Sequence, residues 1–247
     1  MDLKVDPLDI LTLDEIRSVL TDGERRAKRS RQSAQNTLIF RLAVGCGLRA
    51  AEIAGLQLRD VRTDSDAPFI SVRKATAKRG KPRKVPLAWD QGTLHALRAW
   101  KAARLAAGAV ATDPVVCVQV DRPTPATPCV TTSRPRSAVG GPLSRIQVAR
   151  KFKVALRALP LERREHLHTH SGRHSFASYM VREHPLPAVR DALGHASVAT
   201  TSIYLHMDPG DFVKKGSVFT FGAVSPPGNA VPTASEPPPN ATGSAAP

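Results

Sequence analysis

Aromatic residues are scarce in this chain, 4% of 247 positions with only two tyrosines and two tryptophans. Cysteine is scarcer still. Cys46, Cys117 and Cys129 have no paired spacing, which excludes a disulfide framework and reads as reduced thiols in a cytoplasmic protein. No run of eighteen apolar residues exists, so no membrane-spanning helix is expected. The start, MDLKVDPLDI, carries acids where an export signal has bases and lacks its apolar core. Acid is also short overall: 21 Asp and Glu face 36 Lys and Arg, a formal charge of +15. What remains is ordinary globular material, 41% hydrophobic and 23% charged, enough for one sizeable core. The basic excess points to a polyanionic partner, nucleic acid first among them.

Residues 223–247 hold seven prolines and a single charge, Glu236, so the segment cannot bury enough apolar area to order itself. It is expected to be a disordered tail, and the rest of the chain then carries +16. A second irregular stretch, 112–141, is rich in Pro, Thr and Ser and reads as a short strand followed by a long loop. Elsewhere helices dominate. Thr12 and Glu15 form a capping-box pattern that opens a first helix. Apolar residues fall at helical spacing over 34–45, 90–107, 143–158, 173–183 and 187–193. FISVR (69–73) and KVPL (84–87) read as two strands around a basic turn. The expected fold class is α+β, mainly helical with a small antiparallel sheet, as one domain over 1–222.

Between Arg73 and Lys84, seven of twelve residues are basic, and a hairpin would carry most of them to one exposed tip suited to phosphates. A second cluster, ERRAKRSR, spans 24–31. Either alone is compatible with a solvated basic surface.

Three segments hold candidate chemistry. In AVGCGLRAAEIAG (43–55), Gly45, Gly47 and Ala50 fit a dinucleotide-binding pattern with Asp66 some twenty residues on. Arg41 interrupts the buried strand that such a site requires, and no strand–helix series follows. A glycine turn is left, followed by Arg49 and Glu52 at the start of a short helix. In LHTHSGRHSFASYMV (167–181), His170 and His174 would share a helix face, as two metal ligands do. Arg173 between them repels a cation, and the alternative is an anion site built from guanidinium and imidazole. In DALGHASVATTSIYLHM (191–207), His195 sits at a turn leading into a helix, with Tyr204 nine residues later.

In this order, the segments resemble the catalytic domain of the tyrosine recombinases, the phage-integrase family. Gly47-Leu48-Arg49-Ala50-Ala51-Glu52 matches the family's first box, and His170-Ser171-Gly172-Arg173-His174 its second. Leu193-Gly194-His195 with Tyr204 matches the third. The family's lysine lies on a hairpin seven residues before a Val-Pro-Leu-like strand, which lands on Lys78, with Lys74 as the alternative. The resemblance spans roughly 11–215. Gly172 stands where the family has Leu, which predicts a looser helix start. Ten residues precede the domain, so the family's N-terminal DNA-clamping domain is expected to be absent.

The resemblance implies site-specific recombination or integration of DNA through a 3′-phosphotyrosyl intermediate, with no cofactor and no metal. It implies Tyr204 as nucleophile and Arg49 and Arg173 as phosphate cations. Lys78 would be the general acid toward the leaving oxygen, His170 a base or orienting group for Tyr204, and His195 a donor to the phosphate. The implied partner is double-stranded DNA, bound by a homo-oligomer, a tetramer. Two rival readings share these residues: an accessory DNA-binding factor and a type IB topoisomerase-like enzyme.

Overall fold

The computed structural model describes residues 5–77, 81–119 and 140–205. Lys78, Cys129, most of the 112–141 stretch and the 223–247 tail therefore lie outside the described residues.

The chain enters through α1 (Leu13–Ala27), where the Thr12 hydroxyl accepts from the Glu15 amide at 3.2 Å and Glu15 accepts from the Thr12 amide at 2.8 Å. These reciprocal bonds satisfy two of the donors that every helix start leaves open. Ile16, Val19, Leu20 and Gly23 form its buried stripe at the i, i+3, i+4, i+7 spacing. Gly23 is there because a β-carbon would stand 2.5 Å from the Thr37 hydroxyl of α2 (Arg31–Val44). This second helix is the axis of the domain. Every residue from Gln35 to Val44 is buried, since α1, α4 (Gln91–Ala106), α5 (Arg145–Ala155) and α7 (Thr169–Glu183) all pack on it. Phe40 of α2 stacks on Phe152 of α5 with ring centres 5.6 Å apart. Even Arg41 is buried, and its charge is met by Glu24 at 2.6 Å.

After the short α3 (Ala50–Ala54), three strands form an antiparallel sheet in the order β1 (Val61–Arg62), β2 (Phe69–Val72), β3 (Arg83–Pro86). Ile70 pairs with both Val61 and Val85, placing three buried side chains in register. The last elements are α6 (Leu161–His166), α8 (Leu186–Leu193) and the single turn α9 (Ala199–Ser202). Among the described residues no helix is long and apolar enough to cross a membrane.

The expected helices and the strands at 69–73 and 84–87 are present with shifted ends, whereas the short strand expected at the start of the 112–141 stretch is reduced to isolated bridges at Pro114 and Cys117. α2 starts at Arg31 because Ser30 caps it, and α7 starts at Thr169 because the Ser171 hydroxyl accepts from the His168 amide at 3.1 Å. β1 has two residues, too few for an alternation to register. α6, LERREH, has no apolar stripe, and a distant contact anchors it: Arg163 pairs with Glu15 at 2.6 Å and donates to the carbonyls of Leu8 and Ile10. Gly172 does not loosen its helix. A β-carbon there would lie 3.0 Å from Ala43 and 3.3 Å from Phe152, so glycine sets the close approach of α7 to α2 and α5.

The basic segment is not all tip. Arg73 donates to Asp60 at 2.9 Å and to the Gly55 carbonyl at 2.8 Å, and Arg83 points into the domain. Lys74, Lys81 and Lys84 are exposed. In the 24–31 cluster, Arg25 and Arg26 both pair with Asp22, while Lys28, Arg29 and Arg31 face solvent.

Candidate active site

The site begins where α2 ends. The chain reverses through Gly47, whose φ of +61° lies in the left-handed region, and a β-carbon there would meet Phe176 at 2.5 Å. Leu48 then drops into the core and Arg49 becomes the N-cap of α3. One turn on, Glu52 accepts from the Arg49 amide at 2.9 Å and from Arg49 Nη1 at 3.1 Å. The Glu52 side chain is only 1% exposed, so the Arg49–Glu52 pair is no surface ornament. Arg83 completes it: Nη1 and Nη2 each reach one Glu52 oxygen at 2.8 Å. Burial raises the Glu52 carboxyl, but the hydrogen bonds and charge of Arg83, with Arg49 behind, outweigh it and hold the group below the usual carboxylate range.

Arg173 comes from α7 with 5% of its surface exposed. Its Nη1 donates to the Gly47 carbonyl at 2.7 Å and its Nη2 to the Leu193 carbonyl at 2.6 Å, which ties the α3 turn to the end of α8. Burial, then the neighbouring Arg49 and Arg83, bring its pKa down to about 9, with Glu52 and Tyr204 opposing. It stays a cation at neutral pH.

α8 closes on Gly194, left-handed at φ +67°, and the chain turns through His195. His195 Nδ1 lies 2.9 Å from the Thr201 hydroxyl. Burial and the cations Arg173, Arg49 and Arg83 lower it to about 4, so its imidazole is neutral at pH 7. Tyr204 follows α9 rather than lying on it, 4% exposed among Phe176, Met180, Val189 and Leu193. Its hydroxyl is 2.7 Å from His174 Nδ1. Burial raises the phenol above its ordinary value despite Arg173 and Arg49, while burial lowers His174 to about 4 with Asp9 opposing.

The structure thus gathers Arg49, Arg173, His195 and Tyr204 around one locus. His170 is exposed on the same α7 face, its ring centre 6.4 Å from that of His174. The resemblance gives His170 the part of base or orienting group for Tyr204, whereas the hydrogen bond to the Tyr204 hydroxyl is made here by His174. Among the described residues no three His, Cys, Asp or Glu side chains form a metal-binding group. Arg83 and the His174 contact are the parts that sequence reading passed over. A signal for Arg83 exists: it stands two and four residues before the buried Val85 and Leu87, on the side of the strand that faces inward. What the locus offers chemically is a set of preorganised cations and neutral imidazoles beside a phenol, a receptor for a phosphate ester.

Fold and site together define a family, and the chain belongs to the phage integrase family, whose model matches residues 9–210. The tyrosine recombinase XerC of Xylella fastidiosa strain 9a5c is 32% identical over 173 residues, 69% of this chain and 48% of the relative. XerC of Chromobacterium violaceum is 31% identical over 182 residues, 72% of this chain and 50% of the relative. The chain spans about half the length of the curated relatives it matches. Among solved structures, XerA recombinase aligns with a TM-score of 0.59 at 21% identity, covering 82% of this chain and 62% of that one. XerH recombinase, bound to its difH substrate before cleavage, aligns at 0.56 and 25% identity over 85% of this chain and 53% of that one.

Proposed function

We propose that this chain is a site-specific DNA recombinase that cuts and rejoins double-stranded DNA through a 3′-phosphotyrosyl intermediate. The observation that carries the reading is the Tyr204 hydroxyl, hydrogen-bonded to a neutral imidazole in a locus that also holds Arg49, Arg173 and His195. A protein that only binds DNA needs the cations but not the phenol.

In the proposed reaction Tyr204 turns out of its packing and its oxygen attacks the phosphorus. A phosphotyrosyl bond forms as the bond to the 5′ oxygen breaks. The tyrosine proton passes to His174 Nδ1, the acceptor already at 2.7 Å, with exposed His170 beside it as the second imidazole. An unaided phenol, with a pKa near 10, is a poor nucleophile, and burial raises this one further with Arg173 and Arg49 opposing, so the proton needs an acceptor at hand. Those two arginines balance the charge that grows on the non-bridging oxygens, and His195 donates a further hydrogen bond. Lys78 gives the proton to the leaving 5′ oxygen. A second transesterification, by a 5′ hydroxyl on the phosphotyrosine, reverses the chemistry on the same or another strand. The bond count is unchanged at each step, so neither nucleotide hydrolysis nor a metal is required. We place the protein in the cytoplasm, acting as a homo-tetramer on DNA.

The test is purified protein mixed, without metal, with nicked duplexes tiled across the DNA that flanks its gene. The nick lets the short downstream fragment diffuse away and traps the covalent product. A Tyr204-dependent adduct on denaturing gels is the expected result. Binding without an adduct replaces this reading with an accessory DNA-binding factor. Adduct formation with relaxation of supercoils, but no joining of two sites, replaces it with a topoisomerase-like activity.

A further inference from the structure

Arg83 is the cation in this locus to which the reaction above gives no task. It lies five residues past Lys78, at the foot of the basic hairpin, and its side chain is 7% exposed. Among the described residues its side chain makes three hydrogen bonds, all into the site: two to the paired oxygens of Glu52 at 2.8 Å and one, from Nε, to the Ala192 carbonyl at 2.7 Å. A flat fork with a third donor at its base is geometry that lysine cannot copy. Glu52 in turn accepts four bonds, and the two from the Arg49 side are 2.9 Å from the amide and 3.1 Å from Nη1. The stronger side-chain bonds are those from Arg83.

A buried carboxylate must be neutralised by whatever cation is in reach. With Arg83 gone, that cation is Arg49. Resting on the recombinase reading, we infer that Arg83 is a positioning residue: by satisfying both Glu52 oxygens it limits the Arg49 side chain to its one 3.1 Å bond from Nη1 and leaves the rest of that guanidinium to the phosphate. The Ala192 bond gives it a second hold on the same site. Ala192 and Leu193 are successive, and their carbonyls receive Arg83 and Arg173 respectively. Gly194 then passes so close that a β-carbon would stand 2.9 Å from Arg83 Cδ. Displacing Arg83 is therefore felt at both phosphate-binding arginines.

The experiment measures single-turnover cleavage of the tiled nicked duplexes, DNA affinity and thermal melting together. It compares the unaltered chain, Tyr204→Phe, Arg83→Lys, Arg83→Met and the double variant Arg83→Met/Glu52→Gln. Arg83→Met is expected to cleave about 10²-fold more slowly with little change in affinity, the size of effect that misplacing one group produces. Removing the carboxylate in the double variant is expected to restore about tenfold in rate beyond any recovery of melting temperature, a split that a merely structural arginine does not give. Arg83→Lys, which keeps the charge but not the fork, is expected to fall between. Equal rates for Arg83→Met with and without Glu52→Gln, both melting as folded proteins, overturn the inference. If Arg83→Met does not fold, Arg83→Lys decides, and an unchanged rate there overturns it. Absence of a Tyr204-dependent adduct with the unaltered chain is a separate outcome, which removes the recombinase reading and this inference with it.

Discussion

Two imidazoles in this site are held neutral against their ordinary titration. His174 and His195 both titrate near 4, through burial first and, for His195, the surrounding arginines next. The unfolded chain takes up a proton on each near pH 6.5, while the folded chain resists until about pH 4. Stability contributed by this difference is complete above pH 6.5 and is lost as pH falls toward 4. The melting temperature should therefore drop across that window, and His195→Gln should flatten the slope when melts are run in steps from pH 7 to pH 4. Lys78 carries a chemically distinct prediction. If it protonates the leaving oxygen, Lys78→Ala slows cleavage by about 10²–10⁴-fold, and a bridging sulfur at the 5′ position restores most of the rate. A thiol leaves unprotonated because its pKa is near 8.5, far below that of an alcohol. A Lys78→Ala variant as slow on the sulfur substrate as on ordinary DNA assigns the proton to another group.

At the scale of elements, the site depends on close approaches that only glycine permits. Gly47→Ala asks for a left-handed alanine and drives its β-carbon to 2.5 Å from Phe176. Strain of this kind costs about 1–3 kcal/mol, and it moves the turn that aims Arg49. Gly172→Leu, which restores the family's usual residue, should destabilise rather than help. Its side chain would press on Ala43 and Phe152, and overpacking costs about 1–3 kcal/mol. Urea unfolding of each variant beside the unaltered chain checks both signs. The elements themselves were legible to different degrees. α1 shows its cap and its stripe in sequence because Thr12 and Glu15 are local partners. α6 shows nothing, because the bonds that hold it come from Glu15, Leu8 and Ile10, about 150 positions earlier.

For the whole molecule, a charge of +15 says that polyanion binding should weaken steeply with salt, by about 0.9 in log affinity per log salt for each phosphate neutralised. Which cations do this is a matter of exposure. Lys81→Ala and Lys84→Ala should each lower the salt slope by about one if they touch phosphate. Arg73→Ala should leave the slope alone and lower stability, since Arg73 is tied to Asp60 and to the Gly55 carbonyl. Binding isotherms between about 50 and 200 mM salt separate the two classes.

Sequence alone determined the mainly helical class with its small sheet, and the box residues that carry the resemblance, because caps, periodicity and short motifs are local. Through the resemblance it also named Arg49, Lys78, His170, Arg173, His195 and Tyr204 as one constellation. Tertiary structure alone decided that Tyr204 meets His174, that Glu52 is buried between two arginines, and that two of the five described basic residues of the hairpin, Arg73 and Arg83, are tied into the domain. Those facts rest on contacts between residues 13 to 31 positions apart. Such contacts arise only when α3, β3, α7 and α8 close on one another, and no local pattern encodes the distance between them.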